Sequence, residues 1–141
     1  AYQAVELLNR HHITIEVLQK SIPLAVEAYV LKDIRKEKEN NHPEATFVTV
    51  ADTAVKKVIT FPEGTFVVRT GQVMGRIVSH MLEPETPENI IIWNTMDNLL
   101  PEPGPGSLIP IFRIPEPINL PTTLLQFSLE KTINWNGRTP R

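Results

Sequence analysis

Nine of the thirteen prolines in this chain fall between residues 84 and 121, and no other feature removes so many folding options. Proline has no backbone N–H to donate, and its ring blocks the preceding helical turn. It is therefore barred from helix interiors and from the middle of a sheet. Pro101-Glu102-Pro103-Gly104-Pro105-Gly106 is expected to be an extended surface loop. Leu108 to Ile114 still suits a strand, but Pro110 inside it asks for an edge position.

Ahead of this zone the apolar residues alternate. Ile13, Ile15 and Val17 share one face of a first run, and Leu24, Val26, Ala28 and Val30 share one face of a second. The charged and amide-rich stretch from Asp33 to Pro43 reads as a solvated hairpin loop. A third strand is expected over Ala45 to Ala51, with Phe47 and either Val48 or Val50 buried, and a fourth over Val55 to Phe61. Pro62-Glu63-Gly64 has the residues of a turn and leads into a fifth, Thr65 to Arg69. Ile90 to Trp93 suggests a strand buried on both faces, and Thr122 to Leu129 a final one. Such segments at about 8–12-residue spacing predict a mainly β fold, an antiparallel sandwich or jelly roll.

Two helices are expected within it. Residues 2–10 carry Ala4, Val5, Leu7 and Leu8 at helical spacing. Between residues 72 and 82 the apolar stripe is Val73, Met74, Ile77, Val78, Met81 and Leu82, with Thr70 as N-cap and Pro84 blocking continuation. The stripe Val73, Ile77, Met81 is predicted to pack on the sheet beside Trp93. Gly75 costs about 1 kcal/mol against alanine there, which implies close packing against the sheet.

A net charge of −2 with interleaved acids and bases leaves no basic stripe for phosphates, so nucleic acid is not an expected partner. Unbroken apolar runs reach about four residues, against roughly 20 for a membrane span. The absence of cysteine excludes disulfides, thiolate metal sites and a cysteine nucleophile. The chain opens Ala-Tyr-Gln without a charged-then-apolar leader, as if continuing from something longer.

Catalytic zinc wants three protein ligands and an open position. His80-Met81-Leu82-Glu83 spells His-x-x-Glu, but no histidine follows residue 80 to complete a set. His11 and His12 are adjacent and point apart on entering a strand, and suit a helix C-terminus better than a metal. Glu83, Glu85 and Glu88 near Asp97 offer either a calcium site or acid/base pair, or a proline-stiffened loop with structural hydrogen bonds. The Asp-rich spacing of a calcium loop is missing, which favours the loop. Three isoleucine neighbours favour the core over a sugar platform for Trp93.

Six further pieces occur in order. Ala4-Val5-Glu6-Leu7-Leu8-Asn9-Arg10-His11 precedes the strand pair Ile13 to Leu18 and Leu24 to Tyr29. Phe61-Pro62-Glu63-Gly64-Thr65-Phe66-Val67-Val68 follows, then Leu82-Glu83-Pro84-Glu85-Thr86, Trp93-Asn94-x-x-Asp97 and Ile111-Phe112-Arg113-Ile114. Together they resemble the connecting helix and the non-catalytic C-terminal module of bacterial zinc carboxypeptidases. His12 stands where that family usually has glycine, which predicts a differently shaped helix exit. Pro87-Glu88-Asn89 replaces an Asp-Gly turn, and about 27 residues follow Ile114.

The resemblance implies a linking helix over 1–12, a sandwich over 13–129 and a tail over 130–141. It implies a parent that trims peptide C-termini with zinc, a periplasmic or secreted setting, and an upstream catalytic domain as partner. That domain would hold the zinc ligands, substrate-binding arginine and catalytic glutamate, so no catalytic residue, metal ligand or cofactor is expected in this segment. Tyr2, Val5 and Leu8 form the apolar helix face expected to meet that domain. Glu83, Glu85, Trp93 and Asp97 are the other candidates for interface or structural roles. The alternative is a free-standing module for carbohydrate or a cell-envelope partner, which exposed aromatics would favour.

Overall fold

The computed structural model describes residues 1–38 and 44–126. Its elements in chain order are α1 (Tyr2–Arg10), β1 (Ile15–Leu18), β2 (Ile22–Glu37), β3 (Ala45–Val50), β4 (Val55–Phe61), β5 (Phe66–Val68), α2 (Gly75–Leu82), β6 (Leu108–Arg113) and β7 (Thr122–Leu124). The fold is mainly β with two antiparallel sheets, consistent with a β-sandwich.

The smaller sheet has the order β5-β1-β7. In the larger one β2 is the common strand, pairing with β3, β4 and β6. β3 pairs antiparallel with residues 31–37 and β4 with residues 22–28, one after the other along β2. Near the join, the Val30 carbonyl accepts from Ala51 N–H, while Leu31 N–H donates to the Ser107 carbonyl. β2 is thus flanked on both sides at its middle, and its register with β3 shifts between Leu31 and Asp33.

The length of β2 corrects the sequence reading. Asp33 to Glu37 continue the strand instead of forming a loop; the rest of that expected loop, residues 39–43, lies outside the described residues. The backbone ladder to β3 holds this charged stretch, and its side chains stay solvated or paired, as in the Arg35–Glu37 ion pair at 2.5 Å. In β3 the inward residues are Thr46 and Val48, whereas Phe47 lies on the other face under the Arg35 guanidinium, 5.0 Å from its ring centre. The expected last strand is formed over Thr122–Leu124 and has ended by Leu125 and Gln126, while its residues 127–129 lie outside the described set.

The principal core joins α1, α2, the loop after α2 and the inner faces of the strands, through Val5, Leu8, Ile15, Leu31, Val78, Ile91 and Ile109 among others. Full burial of each aliphatic side chain contributes about 1.5–3 kcal/mol. Val5 and Leu8 therefore do not form an outward apolar face; α1 belongs to this core, and of the three only Tyr2 is exposed, at 57%. The helix leaves through a two-bond left-handed cap. Ile13 N–H donates to the Leu8 carbonyl and His12 N–H to the Asn9 carbonyl. His12 has φ 61°, the left-handed conformation that glycine adopts freely, so the helix exit keeps a glycine-like shape.

α2 begins at Gly75, three residues later than expected, with Met74 and not Thr70 at the cap position. Val73 is consequently fully exposed, and the buried face is Gly75, Val78 and Met81. Gly75 is closely packed, but against a turn and not the sheet: an added Cβ would stand 1.8 Å from the Thr70 carbonyl oxygen.

Ile90 to Trp93 is a turn, not a strand. The Asn89 side-chain oxygen accepts from the N–H groups of Ile91 (2.9 Å) and Ile92 (3.1 Å), so no strand partner is needed. Ile90 and Ile91 are buried side by side, and Trp93 is turned out, 65% exposed.

Candidate functional site

The segments that stand out in the sequence meet on one side of β2 and β3. The loop from Glu83 to Asp97 lies across these strands and is fixed at three places.

The first is centred on Thr46, which is wholly buried. Its hydroxyl oxygen accepts from Lys36 Nζ (2.7 Å) and stands within donating distance of Asn94 Oδ1 (2.7 Å) and Asp97 Oδ1 (2.8 Å). A threonine has one proton to give, so the two oxygens share it. Lys36 Nζ also reaches Asp97 Oδ2 at 2.8 Å, which closes the cluster as an ion pair. Asn94 Nδ2 donates to the Glu44 carbonyl at 2.5 Å. With φ 63°, Asn94 is the left-handed residue of the turn, a conformation its short amide tolerates.

The second fixing point is Glu83. Tyr29 Oη on β2 donates to its Oε2 at 2.5 Å, and the Arg113 guanidinium sits between Glu83 (3.9 Å) and Glu27 (3.6 Å). Burial first, and then the Glu83 carboxylate as acceptor and negative charge, push the Tyr29 phenol up to about 12, although Arg113 pulls the other way. The third is Glu85, whose carboxylate accepts from Val50 N–H at 3.0 Å, at the end of β3.

Between these points the loop and strands leave an open cleft of about 370 Å³. Arg35, Phe47 and Thr49 line its strand side and Pro84, Glu85 and Pro87 its loop side. No protein-family model, curated protein or solved structure matches the chain.

The structure thus brings Glu83, Glu85 and Asp97 onto one scaffold, each on its own partner. Glu88 is on the exposed side of the same loop, and His80 is exposed in the last turn of α2. His11 caps α1, its Nδ1 2.9 Å from the Leu7 carbonyl oxygen. Among the described residues no three histidine or acidic side chains stand together as a metal-holding group, and no helix is long and apolar enough to cross a membrane.

Trp93 leaves the core for the surface, where a locked turn presents it. Asn89 and Asn94 hold that turn, and the Thr95 hydroxyl donates to the Ile90 carbonyl at 2.7 Å. Sequence reasoning assigned no role to Thr46, Lys36, Asn89 and Tyr29, and named Asn94 solely as part of Trp-Asn-x-x-Asp. The signal for Asn94 was its place between buried isoleucines and Asp97; Thr46 gave none, because a strand threonine is ordinary.

Proposed function

We propose that this chain is a non-catalytic β-sandwich module of a zinc-carboxypeptidase-like protein, bordering or steadying a catalytic domain carried elsewhere in the parent. The observation that carries this reading is the use made of the resemblance residues. Glu83 and Glu85, from Leu-Glu-Pro-Glu-Thr, and Asn94 and Asp97, from Trp-Asn-x-x-Asp, each hold the loop to β2, β3 or the adjoining Glu44. Residues kept for such anchoring explain a recurring motif set without chemistry of their own. The left-handed φ of His12, where the resembled family has glycine, supports the same reading. The parent would use zinc to polarise the scissile carbonyl of a peptide substrate.

The encoding gene gives the first test: a His-x-x-Glu motif and a distant second histidine encoded upstream are expected. The full-length product should release C-terminal residues from peptides in a zinc-dependent manner, and the isolated segment should not. An upstream region without that ligand set, or zinc-dependent turnover by the isolated segment, overturns the proposal.

One observation favours the alternative, a free-standing carbohydrate- or envelope-binding module. Trp93 is an exposed indole on a rigid turn, a surface on which a sugar ring can stack. Titration of the fluorescence with soluble peptidoglycan fragments decides it. A saturable change lost in Trp93→Ala supports this second reading, and a flat response removes it.

A further inference from the structure

The last described strand is attached to the rest of the protein by its backbone ladder and by polar side chains. β7 adds to β1 through the register Glu16↔Leu124, Val17↔Thr123 and Leu18↔Thr122, extended by Gln19 N–H to the Pro121 carbonyl and Leu125 N–H to the Ile15 carbonyl, both 2.8 Å. Its side chains contribute little burial: Thr123 is exposed, Leu124 is 62% exposed, and only Leu125 just beyond packs partly on the core. The strand is held instead by a polar socket. The Thr122 hydroxyl donates to Glu16 Oε1, Gln19 Nε2 donates to Thr123 Oγ1 at 2.7 Å, and Arg69, paired with Glu16 at 3.0 Å, donates to the Ile118 carbonyl at 2.9 Å.

The strap leading into β7 carries Pro115, Pro117 and Pro121, and residues 115–119 are all exposed. Proline fixes φ and removes donors, so this strap stays extended and cannot gain by folding back as helix or ladder. A strand with hydrogen-bonded ends, few buried side chains and a stiff extended strap can leave β1 and be replaced by the same strand of another molecule. Every contact is then remade.

We propose that β7 is an exchangeable strand and that the β1 edge, with its Glu16–Gln19–Arg69 socket, is an interaction surface for β7 of a second copy of this chain. The product is a symmetric strand-swapped dimer. In the closed monomer the strap supplies β7 at an effective concentration of about a millimolar, so exchange appears when the chain is refolded near that concentration.

The absence of cysteine makes the test clean. Two single variants, Val17→Cys and Thr123→Cys, are mixed, unfolded, refolded together at about 1 mM and oxidised. A 17–123 disulfide between chains is expected in about tenfold excess over the yield from Val58→Cys with Thr123→Cys, because Val58 is exposed but far from the register. Light scattering on the unmodified chain, refolded the same way, should show a dimer that Thr123→Pro abolishes. Equal yields from the two cysteine pairs, an unmodified chain that stays monomeric, or a dimer that survives Thr123→Pro would each overturn the proposal.

Discussion

Thr46→Val is the sharpest probe of the loop's anchoring, because the sign of its effect depends on whether the hydroxyl is used. The side chain is wholly buried and valine is nearly isosteric, so no cavity arises. An idle buried hydroxyl is a liability, and replacing it with a methyl group would stabilise the fold by about 1 kcal/mol or more. Here the hydroxyl touches Lys36, Asn94 and Asp97 at 2.7–2.8 Å. Removing it leaves two oxygens without their shared donor and Lys36 with one acceptor fewer. An unsatisfied buried polar atom costs about 1–3 kcal/mol. The Asp97 and Lys36 side chains are 31% and 42% exposed, so water relieves part of that. The expected loss is about 1–2 kcal/mol, read as a lowered urea midpoint with an unchanged slope. Asp97→Ala should cost less in the substituted background than in the original chain, by at least about 0.5 kcal/mol of coupling. A more stable Thr46→Val protein, or strict additivity with Asp97→Ala, would refute the network.

Three other outcomes follow from the same geometry. His12→Gly should stabilise by about 0.5–1 kcal/mol, since relief of the left-handed φ exceeds the added freedom of the unfolded chain; a less stable protein in urea would contradict that backbone. Gly75→Ala should destabilise by about 1–3 kcal/mol against the Thr70 carbonyl, whereas helix propensity alone would stabilise by about 1 kcal/mol, so a raised melting temperature would contradict the close approach. Tyr29 holds its proton up to about pH 12, so its share of stability is complete below the ordinary tyrosine value near 10 and is lost as pH rises through 12. Tyr29→Phe should remove the latest phenolate step in an ultraviolet titration; if that step persists, the Tyr29–Glu83 contact is not made.

The strand pattern was legible wherever one face meets the core. Leu24, Val26 and Ala28 alternate inward on β2, and the Pro-Glu-Gly turn before β5 lies where its residues demand. Legibility failed where polar groups did the holding. Asp33 to Glu37 offer Ile34 as their one apolar residue, yet the ladder to β3 keeps them in a strand. Ile90 to Trp93 looked like a buried strand because three consecutive isoleucines do not show that an asparagine before them will take two backbone N–H groups. Val73 fits a helical stripe, but the close approach of Gly75 to Thr70 delays the helix past it. Of the site, sequence marked Glu83, Glu85 and Asp97; their partners come from strands tens of residues away, beyond any local pattern.

Those partners show what the particular residues of the loop do for the fold. Beyond Leu31, β2 has β3 as its ladder partner, and a two-stranded ribbon is marginal in water. There β2 supplies Ile34 as the one apolar residue among charged ones, a narrow face for a second layer. The loop from Glu83 to Asp97 supplies that layer from outside, tied by Tyr29–Glu83 near the middle of β2, by Glu85 at the inner end of β3, and by Asp97–Lys36–Thr46 near the outer end. Ile90, Ile91 and Met96 from the same loop then enter the core beside Val48 and Leu31. The cleft at Arg35 and Phe47 and the exposed Trp93 both depend on this bracing, because one wall of the cleft and the whole turn belong to the loop. Loosening the Thr46 cluster should therefore change cleft and indole together, and a ligand at either place should report the loss of the other's geometry. The ribbon, the loop and whatever surface they present form one unit, in which polar anchors do what apolar packing does elsewhere in the fold.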